Sequence, residues 1–280
     1  MIRLGGHGLP IGPDDPEAFA AAHRAFGYRA AYCPPCDIAD NARQRAIESA
    51  FARADVVIAE IGIWRNLITP DAAVRRRNIE YACQMLALAD AVGARCAVSY
   101  IGSLAAGTDY APHPDNLGPA AFEASVATVR EIIDSVRPRR ARFALEMMQY
   151  ALPDSVDCYL DLIHAVDRPA FAAHLDPVNL VMTPRRYFDT GALLRDCFDK
   201  LGPHIVSCHA KDILLHDRAA LHLDEVMIGD GNLDYPAYLR ALDALPGDVP
   251  LMLEHLEPAE YATARDRLTA IAAANGIGFN

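Results

Sequence analysis

Apolar and polar positions along the 280-residue chain fall into two alternating textures. Short runs that are apolar almost throughout give way to longer stretches in which apolar residues recur three and four apart. The first texture is that of a strand covered on both faces, the second that of a helix with one face on a core. Strands are predicted at residues 2–9, 29–33, 55–63, 95–101, 142–148, the run ending in Asp176, 204–211 and 250–256. Helices are predicted at 17–26, 41–54, 70–92, 120–136, 154–166, 190–201, 235–242 and 258–274. In the third of these, Ile79, Ala82, Cys83, Leu86 and Ala89 keep helical spacing, and Gly93 ends the pattern. A polar loop at 102–119, rich in Gly and Pro, is long enough to expect a lid or binding role, and a second long excursion runs over 212–233.

Eight strand–helix alternations with no linker or break in composition imply a parallel sheet. At this length they imply a closed (β/α)8 TIM barrel, one α/β domain over residues 1–280. An open doubly wound sheet ranks second, because the first βα turn, LGGHG at 4–8, is not the GxGxxG of that fold.

Composition narrows the picture. Hydrophobic residues at 52% and charged residues at 22% allow a large core and exclude wholesale disorder. A formal net charge of -11 opposes a nucleic-acid track, which needs clustered Lys and Arg, but leaves room for a small anionic substrate. The N-terminal MIRLGGHGLP has no signal pattern, and no run reaches the ~18 apolar residues of a membrane span, so a cytoplasmic protein is expected. The seven cysteines are scattered, as reduced core thiols would be. Cys33 and Cys36 have redox-like spacing, but no second pair completes a zinc site, and the expected reading is a strand-to-loop corner.

The candidate chemistry lies in carboxylates placed where strands should be greasy. Glu146 interrupts the run RFALEMM, and Glu254 interrupts PLMLEHL. An ionised carboxylate removed from water costs several kcal/mol unless a cation or donors meet it. Between the two lie Asp176 in AAHLDPVNL and His209 in HIVSCHAKD, at successive intervals of 30, 33 and 45 residues from Glu146 onward. Each interval fits one strand, one helix and their loops, so four metal-type ligands recur in phase with the repeat, near the strand ends where such barrels keep their sites. Three carboxylates and one imidazole suit a single divalent ion, manganese first, with magnesium, cobalt, iron or zinc as alternatives. Taken singly, any of the four is as readily a buried group met by Arg or Lys; the phasing favours the ion.

Period-two geometry adds neighbours. His174 shares a face with Asp176, as packing or support, and Lys211 shares one with His209, as electrophile, proton donor or ion-pair partner. Glu60 and Trp64 at the end of the third strand are expected as pocket wall, with a surface rim the bland alternative. His7 is a candidate of the same kind. Arg185, in the loop after the sixth strand, is expected to bind substrate oxygens or to be solvated.

ALEM, LDPVN, HAKD, IGDGNLDY and LEH, in this order, together with the helix, Gly-Ala and strand of 82–99, resemble the xylose isomerase-like TIM barrel superfamily, its sugar phosphate isomerase/epimerase group. The resemblance spans nearly the whole chain and implies that Glu146, Asp176, His209 and Glu254 bind one divalent metal. It also implies that the two glutamates act as acid and base on opposite sides of a sugar carbon. Removing the proton next to a carbonyl gives an enediolate. Its return to the other face is epimerisation, its return to the neighbouring carbon isomerisation, and loss of a β-substituent elimination. The implied function is an isomerase or epimerase on a sugar or polyol-derived ketone. The alternatives are a lyase eliminating water or an aglycone from an oxidised sugar or inosose, and a non-catalytic barrel subunit. Homo-oligomers are common in the group, although the aromatic content of 8% marks no interface. Two departures concern substrate contact: the ketose epimerases have a histidine where Asn179 stands, and an arginine where Leu214 and Leu215 stand. Endonuclease IV shares the architecture but needs three metals and many more histidines.

Overall fold

The computed structural model describes residues 1–279. The apolar runs form β1 (Ile2–Gly5), β2 (Ala30–Tyr32), β3 (Val57–Gly62), β4 (Cys96–Ser99), β5 (Arg142–Glu146), β6 (Phe171–Leu175) and β7 (Ile205–Ala210). After them come β8 (Asp212–Leu215), β9 (Leu223–Val226) and β10 (Val249–Leu253). The 3.6-period segments form α1 (Pro16–Phe26), α2 (Asn41–Ala54), α3 (Ala72–Val92), α4 (Pro119–Val136), α5 (Val156–Val166), α6 (Pro184–Tyr187), α7 (Thr190–Leu201), α8 (Tyr235–Asp243) and α9 (Tyr261–Ala274). Eight strands close into a parallel barrel in the order β1-β10-β7-β6-β5-β4-β3-β2, with helices between them: the (β/α)8 TIM barrel.

Helix starts follow the sequence. Asp15, Asp40, Asp71, Ser155, Asp189 and Asp234 each accept backbone N–H groups of the first turn, which would otherwise lack partners. Gly27 and Gly93 end α1 and α3 in the left-handed conformation. The main core lies between barrel and helices, where strand residues such as Phe143, Leu145, Leu175 and Leu251 meet Leu86, Ile132 and Leu162. A thinner layer fills the barrel itself, with Ala30, Ala59 and Met252 on one side and Cys96, Val98 and Ala144 on the other.

Two differences from the sequence reading bear on the site. The excursion 212–233 is not all loop: β8 and β9 pair antiparallel, with Asp212 opposite Val226 and Leu215 opposite Leu223. Strands of four residues, DILL and LDEV, leave too short an alternation to read. Buried Asp212 pins the end of the excursion, accepting from the backbone N–H of Ile213, Gly229, Gly231 and Leu233. The expected first strand, 2–9, stops at Gly5, since Gly6 onward already turns into the mouth of the barrel.

The second difference is a pair of bulges. Ala31 lies opposite Ile58 but Tyr32 opposite Glu60, so β3 carries one extra residue there. Ala173 lies opposite Ile205 but His174 opposite Ser207, so β7 does the same. A bulge reverses the in–out alternation beyond it. Val57 and Ala59 line the barrel interior, yet Glu60 joins them there rather than facing the helices with Ile58.

Candidate metal centre

Alternation carries the four expected ligands to one place. On β5, Phe143 and Leu145 face the helices, which turns Ala144 and Glu146 inward. On β6, Ala173 and Leu175 face out, so His174 and then Asp176 point in. On β7, Cys208 and Ala210 face out and His209 and Lys211 in. On β10, Leu251 and Leu253 face out and Met252 and Glu254 in. One ligand atom from each of Glu146, Asp176, His209 and Glu254 lies within 4.8 Å of all the others. His209 Nδ1 is 3.0 Å from Glu146 Oε1, 3.0 Å from Glu254 Oε2 and 3.6 Å from Asp176 Oδ2.

The group fits a divalent ion by its chemistry and by what it lacks. Asp176 Oδ2 and Glu254 Oε2 are buried and make no hydrogen bond of good geometry. Lys211 Nζ stands 2.8 Å from the first and 2.7 Å from the second, so the ammonium opposes their charge without satisfying their lone pairs. One lysine cannot balance three carboxylates in a dry site, and a divalent ion brings the charge close to neutral. Burial works against ionisation of Asp176 and Glu254, yet Lys211 and His209 outweigh it and hold both carboxyls low. At Glu146 burial prevails, and the charges of Glu254 and Asp176 add to it, so this carboxyl is raised. Burial disfavours a charged His209, but Glu254 and Glu60 overcome it and the imidazole holds its proton well above the usual range. A cation at the centre would take the place of that proton on Nδ1.

Beneath the quartet lies a support built from Glu60, His174 and Ser207. Glu60 is expected as pocket wall and His174 as packing or support; both are buried inside the barrel. Glu60 accepts from His174 Nε2 at 3.0 Å, from His209 Nε2 at 3.3 Å and from the Ser207 hydroxyl. A carboxylate only accepts, so His209 carries its proton on Nε2 and presents Nδ1 to the quartet, the tautomer a metal ligand needs. Burial opposes ionisation of Glu60, but the two imidazoles outweigh it and keep the carboxyl far below the usual range. The bulge in β3 is what aims Glu60 there; strict period two would have sent it to the helix side.

A cavity of about 450 Å³ opens above the quartet, with Trp64, Tyr100, Tyr110, Met148 and Gln149 among its walls. Trp64 adopts a φ of 48°, and its indole rests on Gly62, where a Cβ would come within 2.2 Å of Nε1. Its ring centroid is 5.8 Å from Tyr100, which is 5.6 Å from Tyr110, so three aromatic rings make one side. Asn179 sits at the floor and is turned inward: its Nδ2 donates to Met147 O at 3.0 Å and Glu146 Oε1 at 3.3 Å. Gln149 Nε2 donates to Asn179 Oδ1 at 3.0 Å, and Tyr110 OH to Gln149 Oε1 at 3.1 Å. This relay from Tyr110 to Glu146 was invisible in sequence, although Gln149 follows the Glu146 run directly. Glu225 on β9 and His255, also absent from the sequence reading, close another side with a 2.8 Å ion pair.

The remaining candidates do not line this cavity. His7 is exposed and stacks on Tyr32 at 4.3 Å, lining a separate hollow of about 280 Å³ with Leu9, Phe19 and Cys33. Arg185 is exposed on α6, outside the cavity wall. Cys33 and Cys36 are free thiols at the corner after β2, and burial pushes Cys33 up to about 12, far from a reactive thiolate. Among the described residues no helix is long and apolar enough to cross a membrane.

The sequence profile of the family described as xylose isomerase-like TIM barrel matches residues 3–271. No curated protein matches the chain. Among solved structures, the chain is similar to D-psicose 3-epimerase from Clostridium cellulolyticum H10, with a TM-score of 0.69 and 14% identity over 98% of each chain. It is similar to the probable 3-DHS dehydratase AsbF of Bacillus anthracis, with a TM-score of 0.70 and 16% identity over 96% of this chain and 98% of that one. A xylose isomerase-like TIM barrel protein from Mycobacterium smegmatis, solved in complex with magnesium, gives 0.66 and 19% over 98% and 97%. At these identities the likeness is one of fold.

Proposed function

The chain belongs to the xylose isomerase-like TIM barrel family, and we propose that it is a divalent-metal-dependent isomerase or epimerase acting on a sugar or polyol-derived ketone. The observation that carries this reading is the convergence of Glu146, Asp176, His209 and Glu254 within 4.8 Å of one another beneath a cavity at the barrel mouth. Manganese is the ion we favour, with magnesium, cobalt, iron or zinc as alternatives. When bound, such an ion would polarise a substrate carbonyl and acidify the C–H beside it.

The chain's own residues supply the rest. Glu146 is the base: burial and the neighbouring carboxylates raise its carboxyl, which strengthens its carboxylate as an acceptor for a carbon-bound proton. The hydrogen bond from Asn179, itself held by Gln149 and Tyr110, fixes where its Oε1 points. Glu254, on β10 three places round the barrel from β5, returns the proton from the other side. Lys211 offsets the negative charge of the floor and presents its ammonium to the cavity. The aromatic wall of Trp64, Tyr100 and Tyr110 excludes water and provides flat surface for the apolar face of a ring.

Elimination from an oxidised sugar or inosose is the second reading, favoured by one observation. Asn179 spends its donors within the protein, so the position where the ketose epimerases have a histidine offers no free donor to a substrate hydroxyl. Proton–deuterium exchange on a panel of ketoses separates the two: exchange with inversion supports the epimerase, and loss of water or aglycone the lyase. Absence of turnover across the panel, with metal bound, would favour a non-catalytic subunit. Glu146→Gln is expected to lower exchange ~10²–10⁴-fold while the circular dichroism spectrum stays unchanged. Wild-type exchange rates in this variant would remove Glu146 as the base.

A further inference from the structure

The hairpin that covers one side of the mouth has chemistry of its own. In the ladder of β8 and β9, Leu215 lies opposite Leu223, and the next rung is closed by a 2.9 Å bond from His216 N to His222 O. Opposed residues share a face of a two-stranded ladder, and Asp224 lies two positions beyond His222, on the same face. Three potential ligands thereby meet: His216 Nε2 is 2.9 Å from Asp224 Oδ2, and His222 Nε2 is 3.2 Å from Asp224 Oδ1. One donor atom from each lies within 4.8 Å of the others. His216 Nε2 is buried yet has no hydrogen bond of good geometry. The side chains are 31%, 39% and 49% exposed for His216, His222 and Asp224, so further coordination positions open to water.

We propose that His216, His222 and Asp224 form a second metal site, independent of the barrel-floor quartet, that takes a borderline transition ion such as Zn²⁺. Two imidazole nitrogens and one carboxylate suit Zn²⁺, Ni²⁺ or Cu²⁺ far better than Mg²⁺ or Mn²⁺, which prefer oxygen. The site shares no residue with the quartet, and no step of the proposed reaction uses it. Its position gives it a consequence. The ion would close the base of the connection 217–221 and hold β9 in register. The next residue on β9, Glu225, reaches the other way, to His255 at 2.8 Å and Lys211 at 3.5 Å. Occupancy on the outer face therefore fixes a carboxylate that lines the cavity on the inner one.

Zn²⁺ titration against a chromophoric chelator, on the full chain and on the His216→Ala and His222→Ala variants, tests the site. All three keep the floor quartet, so its own ion cancels in the comparison. The wild type is expected to take one Zn²⁺ equivalent more than either variant. Equal stoichiometry in all three would overturn the site, whatever the quartet binds. Asp224→Asn serves as a third variant should an alanine variant misfold. Trypsin reads out the ordering: at Zn²⁺ ten times the dissociation constant, cleavage after Arg218 is expected to slow about tenfold in the wild type only. Cleavage indifferent to Zn²⁺ in a chain that binds the extra equivalent would overturn the link to hairpin order.

Discussion

At the scale of single residues the site divides into groups that face the cavity and groups that aim them. Glu60 belongs to the second kind: it touches no cavity surface but holds His209 Nε2 at 3.3 Å and His174 Nε2 at 3.0 Å. Glu60→Gln keeps the shape and removes the charge, and its amide can turn a donor toward either imidazole. The tautomer of His209 is then no longer imposed. We expect metal affinity to fall ~10–100-fold, measured by competition with a chelator, with secondary structure retained. Unchanged affinity would mean that His209 is oriented by packing alone, for instance by the His174 ring 4.1 Å away.

At the scale of elements, α1 carries a titratable group that ties its packing to pH. His23 is 2% exposed on the inner face of the helix, among Phe19, Tyr28 and Phe51, and its Nδ1 donates to Phe19 O at 2.9 Å. Burial pushes this imidazole down to about 4 from its ordinary 6.5. Between those values the unfolded chain binds a proton that the folded chain refuses, so stability falls as the pH drops. The contribution is fully present above 6.5 and is lost on descending to 4, about 3 kcal/mol in all. Denaturant midpoints from pH 7 to 4 should fall faster for the wild type than for His23→Gln. Parallel curves would show that the packing around α1 relaxes enough to hydrate the ring.

At the scale of the whole molecule, the barrel closes around a concentration of like charge. Glu146, Asp176 and Glu254 gather round His209 Nδ1 and Glu60 meets its Nε2, and Lys211 and the two imidazoles are the balancing groups among the described residues. An ion bound by four strands at once must add to the stability of the closed sheet. At a concentration a hundred times its dissociation constant it contributes about 2.7 kcal/mol. For a chain of this size that is roughly 5–10 °C in Tm. Chelation should lower Tm by that amount, and readdition of Mn²⁺ should restore it in the wild type but not in Asp176→Asn. A chelator-insensitive Tm in protein shown to have carried metal would place the ion elsewhere.

The sequence by itself determined the repeat and therefore the barrel, because strand and helix periods are written locally in which positions are apolar. It also determined the quartet: a carboxylate in an otherwise greasy run stands out one residue at a time, and its phase with the repeat sets the strand end at which it emerges. What lay beyond it were facts about register and packing. Whether Glu60 faces the helices or the barrel depends on one extra residue in β3 relative to its neighbour, and the pairing of Tyr32 with Glu60, across a whole helix, leaves no local mark. His174 followed its strand inward as expected, but only the packed barrel decided that the ring ends beneath the site rather than beside the substrate. The hairpin, the Tyr110–Gln149–Asn179 relay and the exposed position of Arg185 were likewise settled by how the loops fold over the mouth. Local periodicity governs burial, whereas long-range pairing governs direction, and chemistry at a site depends on direction.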